Sequence, residues 1–292
     1  MSNINKVEAS AGAAWLVGGF TLLRQAPLGL GTLGLIWGLL SLLVIQAMAV
    51  QATVGLLLQL ALAICGPLLF AGMVHAVHEV DQGRQAVPAH LLQALQDRRA
   101  PRVLATLLPQ IAAVLGLGIL LLVMIGPSQL QQVLEVSEEL QRTAQAGGQP
   151  DPDLVRSLPV GRMFLWFLLL LAALLAVSLF TFVAVPAIML GGRGGLEALR
   201  DSFRACVRNL GAMAVFYVLL LIALLALSFA VQLVGVTVQL LAGPAAGMWV
   251  ANLLLMTVLM PVLAGSVYHA WRQMLGGTAP SSSAPVHTHL EA

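Results

Sequence analysis

The spacing of charge along this chain leaves one class of fold open. Residues 25–78, 103–134, 163–192 and 209–271 contain no Asp, Glu, Lys or Arg. A helix crosses the hydrocarbon core of a bilayer in about 20 apolar residues. The two long runs therefore read as hairpins of two helices, and the two shorter ones as single crossings. The sum is six. A membrane-spanning barrel needs segments of roughly 10 residues with alternating polarity. Stretches such as Leu168-Leu169-Leu170-Leu171-Ala172-Ala173-Leu174-Leu175 do not alternate, so the fold is all-α.

Composition agrees. Charged residues make up 9% of the chain and hydrophobic types 59%, whereas a soluble domain carries about 25% charged residues to cover its surface. No charged block is long enough to fold alone. We expect one membrane domain over residues 1–277 and a disordered cytoplasmic tail over 278–292, where His287 and His289 lie. The expected spans are Leu28–Val50, Thr53–Val77, Val103–Ile125, Met163–Val185, Leu210–Val234 and Ala246–Ala270. Gln51 and the Gly243-Pro244 breaker pair mark the two hairpin turns. The first strongly apolar stretch begins near Leu28, too late and too long for a secretory signal. Cys65 and Cys206 do not make a disulfide framework.

Six crossings put both termini on one side. That side holds every basic residue except Arg142, Arg156 and Arg162. Basic loops stay in the cytoplasm, so cytoplasmic N- and C-termini are expected. Arg supplies all of the 14 basic residues but Lys6, which fits a bacterial, inner-membrane protein. The largest external loop is then 126–162, on the periplasmic side. Ser128 and Gln131 match a capping box, Leu130, Val133, Leu134 and Leu140 share one helical face, and residues 146–153 read as a flexible break.

Three stretches look alike. Each has a cytoplasmic amphipathic segment, a helix out and a helix back. Leu22-Leu23-Arg24-Gln25-Ala26-Pro27, Asp97-Arg98-Arg99-Ala100-Pro101 and Arg204-Ala205-Cys206-Val207-Arg208-Asn209 end the amphipathic segments, and Pro67, Pro186 and Pro261 recur in the returning helices. The third amphipathic segment is the clearest. Leu196, Leu199, Phe203, Val207 and Leu210 share a face, while Arg200, Arg204 and Arg208 line another, with Glu197 and Asp201 between them. Such helices lie in the membrane interface with arginines toward lipid phosphates. Arg98, Arg99, Arg102, Arg200, Arg204 and Arg208 are the candidate headgroup ligands. A solvated interfacial helix held by anionic lipid and a built headgroup site have the same signature.

No acid or base falls in the middle of any span, which argues against a proton relay. His75, His78 and Glu79 share a helical face at the cytoplasmic end of the second span, and His269 occupies the matching end of the sixth. These four are the candidate metal site, with His90 a further candidate. No HExxH motif supports it. The polar residues within spans, among them Gln59, Gln110, Asn252 and Thr257, suit helix bridging. Gly34 and Gly38 form a GxxxG, a mark of close helix contact. The run Gly191-Gly192-Arg193-Gly194-Gly195 reads as a turn, with none of the Lys-Ser/Thr of a phosphate loop.

The segment Trp15-Leu16-Val17-Gly18-Gly19-Phe20-Thr21-Leu22-Leu23-Arg24-Gln25-Ala26-Pro27-Leu28 resembles the opening of an uncharacterised proteobacterial inner-membrane protein family. Gly66-Pro67-Leu68-Leu69-Phe70-Ala71-Gly72-Met73 and Asp81-Gln82-Gly83-Arg84 fit the same pattern. More loosely, the layout resembles the membrane domain attached to some glycerophosphodiester phosphodiesterases. That domain is non-catalytic, so the resemblance implies a fold and no active site. The expectation is a non-enzymatic, lipid-interacting or scaffolding membrane component without cofactor or nucleic-acid partner, contacting anionic headgroups and able to self-associate. The alternatives are a transporter or pore for a lipid or small solute, marked by a polar cavity reaching mid-membrane, and an intramembrane metalloenzyme, marked by convergence of the four candidate ligands.

Overall fold

The computed structural model describes residues 4–145 and 158–276. The expected flexible break at 146–153 and the tail from 278 both lie outside the described residues. Among those described there is no strand. The helices are α1 Ala11–Gln25, α2 Pro27–Val50, α3 Ala52–Asp81, α4 Gln93–Gln96, α5 Ala100–Leu104, α6 Leu108–Met124, α7 Pro127–Gln145, α8 Val160–Thr181, α9 Ala184–Met189, α10 Gly195–Arg208, α11 Leu210–Ala242 and α12 Pro244–Met274. Six are long and apolar enough to cross a membrane: α2, α3, α5 running into α6, α8 running into α9, α11 and α12. The chain is a multi-pass helical membrane protein.

Several helices run past their expected ends. Residues 235–242 extend α11 to 33 residues, about 50 Å at 1.5 Å per residue, because Gly243 (φ 93°) is the first position that stops it. Helix α7 begins at Pro127, directly after Gly126 (φ 81°). Ser128 therefore sits inside the first turn instead of capping it. The second amphipathic segment is not one helix. It is a 3-10 turn over Pro88–Leu92 followed by α4 and α5.

Burial follows one rule in the returning helices. In α3 it concentrates after Pro67, from Ala71 to Val80; α9, which contains Pro186, is buried throughout; in α12 it concentrates from Pro261 to Met274. These three ends meet one another, and each carries an amphipathic segment on its outer side: residues 88–104 on α3, α10 on α8 and α9, and α1 on α12. Both chain ends gather there too. Asn5 N–H donates to Met274 O at 3.0 Å, and Asn209 Nδ2 donates to Asn5 O at 3.0 Å. Two apolar clusters fill this end, one around Met73, Val77, Ile188 and Tyr268, the other around Trp15, Phe216 and Val262.

Deeper in the bilayer the spans pack unevenly. Helix α12 lies against α2 through Gly34, whose added Cβ would come within 2.6 Å of Met256 O. Asn252 Nδ2 also donates to Gly38 O at 3.2 Å. Small residues let backbones approach where lipid offers no hydrophobic drive for helix association. Among the spans, α6 and α8 pair with each other, joined by Trp166 Nε1 donating to Leu117 O at 3.2 Å. Neither contains a buried residue. They form a wing attached to the rest at the terminal end.

Candidate functional site

Helix α10 stands between two spaces. Its packing face is not the face of large apolar residues. Ala198, Leu199, Ser202, Ala205 and Cys206 are buried, while Leu196 and Val207 are exposed. Small side chains win the inward positions because α8 ends directly beneath them. Between Thr181 and Ala184 the helical ladder breaks. The buried Ser202 hydroxyl repairs it, donating to Leu179 O at 2.9 Å and accepting from Val183 N–H at 3.2 Å. Burial pushes the Cys206 thiol up to about 12.

On one side of α10 an apolar cleft of about 740 Å³ opens between α6 and α8. Ala112, Ala176 and Val177 line its walls, and Phe180 stacks on Phe203 at 4.5 Å. Arg200 and Arg204 of α10 stand on its rim. Both are exposed, and neither makes an ion pair or side-chain hydrogen bond among the described residues.

On the other side lies a polar chamber of about 670 Å³, where the ends of α3, α9 and α12 meet. The Tyr268 hydroxyl donates to Asp81 Oδ2 at 2.7 Å, and Arg272 Nη1 donates to the same oxygen at 2.6 Å. His78 Nδ1 lies 3.2 Å from the Tyr268 oxygen. The single phenol proton is committed to Asp81, so His78 Nδ1–H is the donor in that pair. Arg193 holds Glu197 through a short contact and reaches Asp201 only at 3.8 Å. The Arg193 hydrogen bond, helped by the Gly194 N–H, holds the Glu197 carboxyl below its usual range. Asp201 is 6% exposed, lines the chamber and accepts no hydrogen bond among the described residues.

The candidate metal ligands fall in three environments. His75 faces Glu79 at 3.8 Å and the His90 ring at 5.2 Å. His78 turns to Tyr268. His269 packs on Gly18 of α1, whose added Cβ would lie 2.3 Å from the imidazole. Glu79 is occupied by Arg84, at 2.7 Å in one of its two contacts. Among the described residues no group of three or more His, Cys, Asp or Glu is arranged to hold a metal ion. Of the candidate headgroup ligands, Arg99 is turned inward, donating to Ile188 O at 3.1 Å and to Met189 O, where it caps α9. Arg98, Arg102, Arg200, Arg204 and Arg208 are exposed. Of the six, only Arg200 and Arg204 line the cleft.

Sequence reasoning singled out neither Arg193, Tyr268 and Arg272 as site residues nor the chamber they share. In the sequence Arg193 belongs to a glycine turn and, with Arg272, to the count of basic residues, while Asp201 is one of two acids between the arginines of α10. The available signal was its position, three after Ala198 and four before Ala205, on the small-residue face. No protein-family model matches the chain, and no curated protein or solved structure is significantly similar to it.

Proposed function

We propose that this protein is a non-enzymatic, lipid-interacting component of a bacterial inner membrane, with both termini in the cytoplasm, that holds an anionic phospholipid in the cleft between α6, α8 and α10. One observation carries the reading: an apolar cleft of about 740 Å³ ends at two arginines that have no carboxylate partner among the described residues. An acyl chain satisfies the walls, and a phosphate satisfies Arg200 and Arg204. A solute path through the bundle has less support. The polar chamber lies among helix ends, and apolar clusters pack the same end around it.

The same reading treats the chain as three units, each an amphipathic segment followed by a helix out and a helix back. The support is cyclic packing: every amphipathic segment sits on the returning helix of the preceding unit, and α1 closes the circle on α12. The bias of basic residues toward the end with both termini supports the orientation.

The test is native mass spectrometry of the full chain taken gently from its own membrane, alongside an Arg200→Gln/Arg204→Gln variant. One retained anionic phospholipid per chain, depleted in the variant, supports the reading. Equal retention by both proteins, or only bulk lipid that washes off, counts against it.

A further inference from the structure

Asp201 is almost fully buried, yet among the described residues its carboxylate accepts no hydrogen bond and has a single ion pair. A buried carboxylate ordinarily collects hydrogen bonds or a close cation, because leaving it without either costs stability. Asp201 has one guanidinium at 3.8 Å, and that guanidinium is drawn closer to Glu197. Its carboxylate opens into the chamber, so a ligand can reach it. A group that completes it must bring positive charge or N–H donors.

The rest of the chamber narrows the class. Its lining carries the Asp201 carboxylate and the guanidiniums of Arg193 and Arg272, and each guanidinium is held by a carboxylate outside the lining, Arg193 by Glu197 and Arg272 by Asp81. Glu197 and Asp81 offset those two cations, which leaves the Asp201 carboxylate over, and a bare anion would sit against it. Yet each guanidinium has five N–H donors, and those not given to Asp81 or Glu197 remain for a second acceptor. Two such cations suit a phosphate, which accepts at several oxygens at once. The Trp271 ring, 6.3 Å from Tyr268, completes an aromatic wall of the kind that faces ammonium groups. A volume of about 670 Å³ is in the range of small-ligand sites.

We propose that this chamber binds a phosphoamine zwitterion, its primary ammonium on Asp201 and its phosphate on Arg193 and Arg272. The site is separate from the cleft, across α10 from Arg200 and Arg204, and it stands or falls without it. Two sources carry this chemistry: a free phosphoamine solute and the headgroup of an aminophospholipid.

The experiment uses the full chain in phosphatidylcholine nanodiscs, titrated calorimetrically with phosphoethanolamine, with propyl phosphate (no amine) and with phosphocholine (no N–H on its cation). A second arm adds phosphatidylethanolamine to the nanodiscs and reads retained lipid by native mass spectrometry. The expected result is one phosphoethanolamine per chain, or one retained phosphatidylethanolamine, with either comparator at least tenfold weaker. Asp201→Asn should weaken the same ligand at least tenfold while leaving lipid retained through Arg200 and Arg204 unchanged. Binding in the first arm alone identifies a free solute, and binding in the second alone a headgroup. Propyl phosphate or phosphocholine binding the wild-type chain as tightly as phosphoethanolamine overturns the proposal. So does the absence of binding in both arms. These comparisons on the unmodified chain hold even where Asp201→Asn fails to fold.

Discussion

The Ser202 hydroxyl accepts the backbone N–H of Val183 at 3.2 Å, and in doing so joins α10 to the break between α8 and α9. The same oxygen donates to Leu179 O at 2.9 Å. One side chain, 0% exposed, thus serves both backbone groups that the interrupted helix leaves open. Ser202→Ala keeps the packing volume nearly constant but strands a buried donor and a buried acceptor. We expect a loss of about 1–3 kcal/mol, read as a lower unfolding midpoint by tryptophan fluorescence in detergent. An unchanged midpoint would mean that water or a shifted backbone replaces the hydroxyl.

Gly19 and Gly265 set how closely α1 approaches α12. A Cβ on Gly265 would fall 2.8 Å from Gly19 Cα, and one on Gly19 would fall 2.4 Å from Val262 O. Backbone cannot yield as a flexible side chain does. Gly265→Ala should cost about 1–3 kcal/mol through overpacking in the same thermal assay. Gly116→Ala should be neutral or slightly stabilising, because nothing lies within 4 Å of its added Cβ and Ala forms helix better than Gly.

Much of this was legible in the sequence, and what was not has a common cause. Uncharged runs determine the number of spans because lipid forbids exposed charge, so α2, α3, α11 and α12 fall close to where hydropathy places them. The Gly34–Gly38 spacing pointed to close helix contact, and that face lies against α12. Hydropathy says nothing about which apolar residues face protein and which face lipid. The burial that begins after Pro67 and Pro261, and the wing of α6 and α8 with no buried residue, were therefore not visible. The site suffered most. Asp201 and Arg204 are three apart on one helix, yet one lines the chamber and the other the cleft. Only tertiary packing assigns charges on an amphipathic helix to opposite spaces.

Cys206 should be inert in the folded protein. It is fully buried, and its thiol is raised to about 12 by burial, whereas the thiolate is the reactive form. In a Cys65→Ala background, N-ethylmaleimide at pH 7 should leave the folded chain unmodified over the time that fully labels it in denaturant. Mass spectrometry reads the result, and prompt labelling without denaturant would show that α10 leaves its seat.

The Arg193–Glu197 clasp predicts a pH response. The carboxyl of Glu197 is held below its ordinary value by Arg193 and then by the Gly194 N–H. A depressed acid contributes stability that is complete above its unfolded value and lost as pH falls through its folded one. The effect belongs to the acid limb, below the usual carboxylate range, and is small because the group is exposed. Glu197→Gln should flatten that limb of the midpoint-versus-pH curve and leave the neutral region unchanged. An identical acid limb in the variant assigns the loss to other carboxylates.

Orientation is the last expectation open to direct measurement. Asn5 meets Met274 at the terminal end, and α7, between the third and fourth spans, belongs to the opposite side by the span count. The basic residues gather at the terminal end, and because basic loops stay in the cytoplasm the proposed orientation has that end inside. Ser10→Cys and Glu138→Cys place single reporters on exposed positions at the two ends, with Cys65 and Cys206 changed to Ala. In bacterial spheroplasts a membrane-impermeant maleimide should label Glu138→Cys at once and Ser10→Cys only after lysis. The reverse pattern would invert the orientation while keeping the six spans. Labelling of both from one side would mean an even number of crossings between them, which the three intervening spans do not allow.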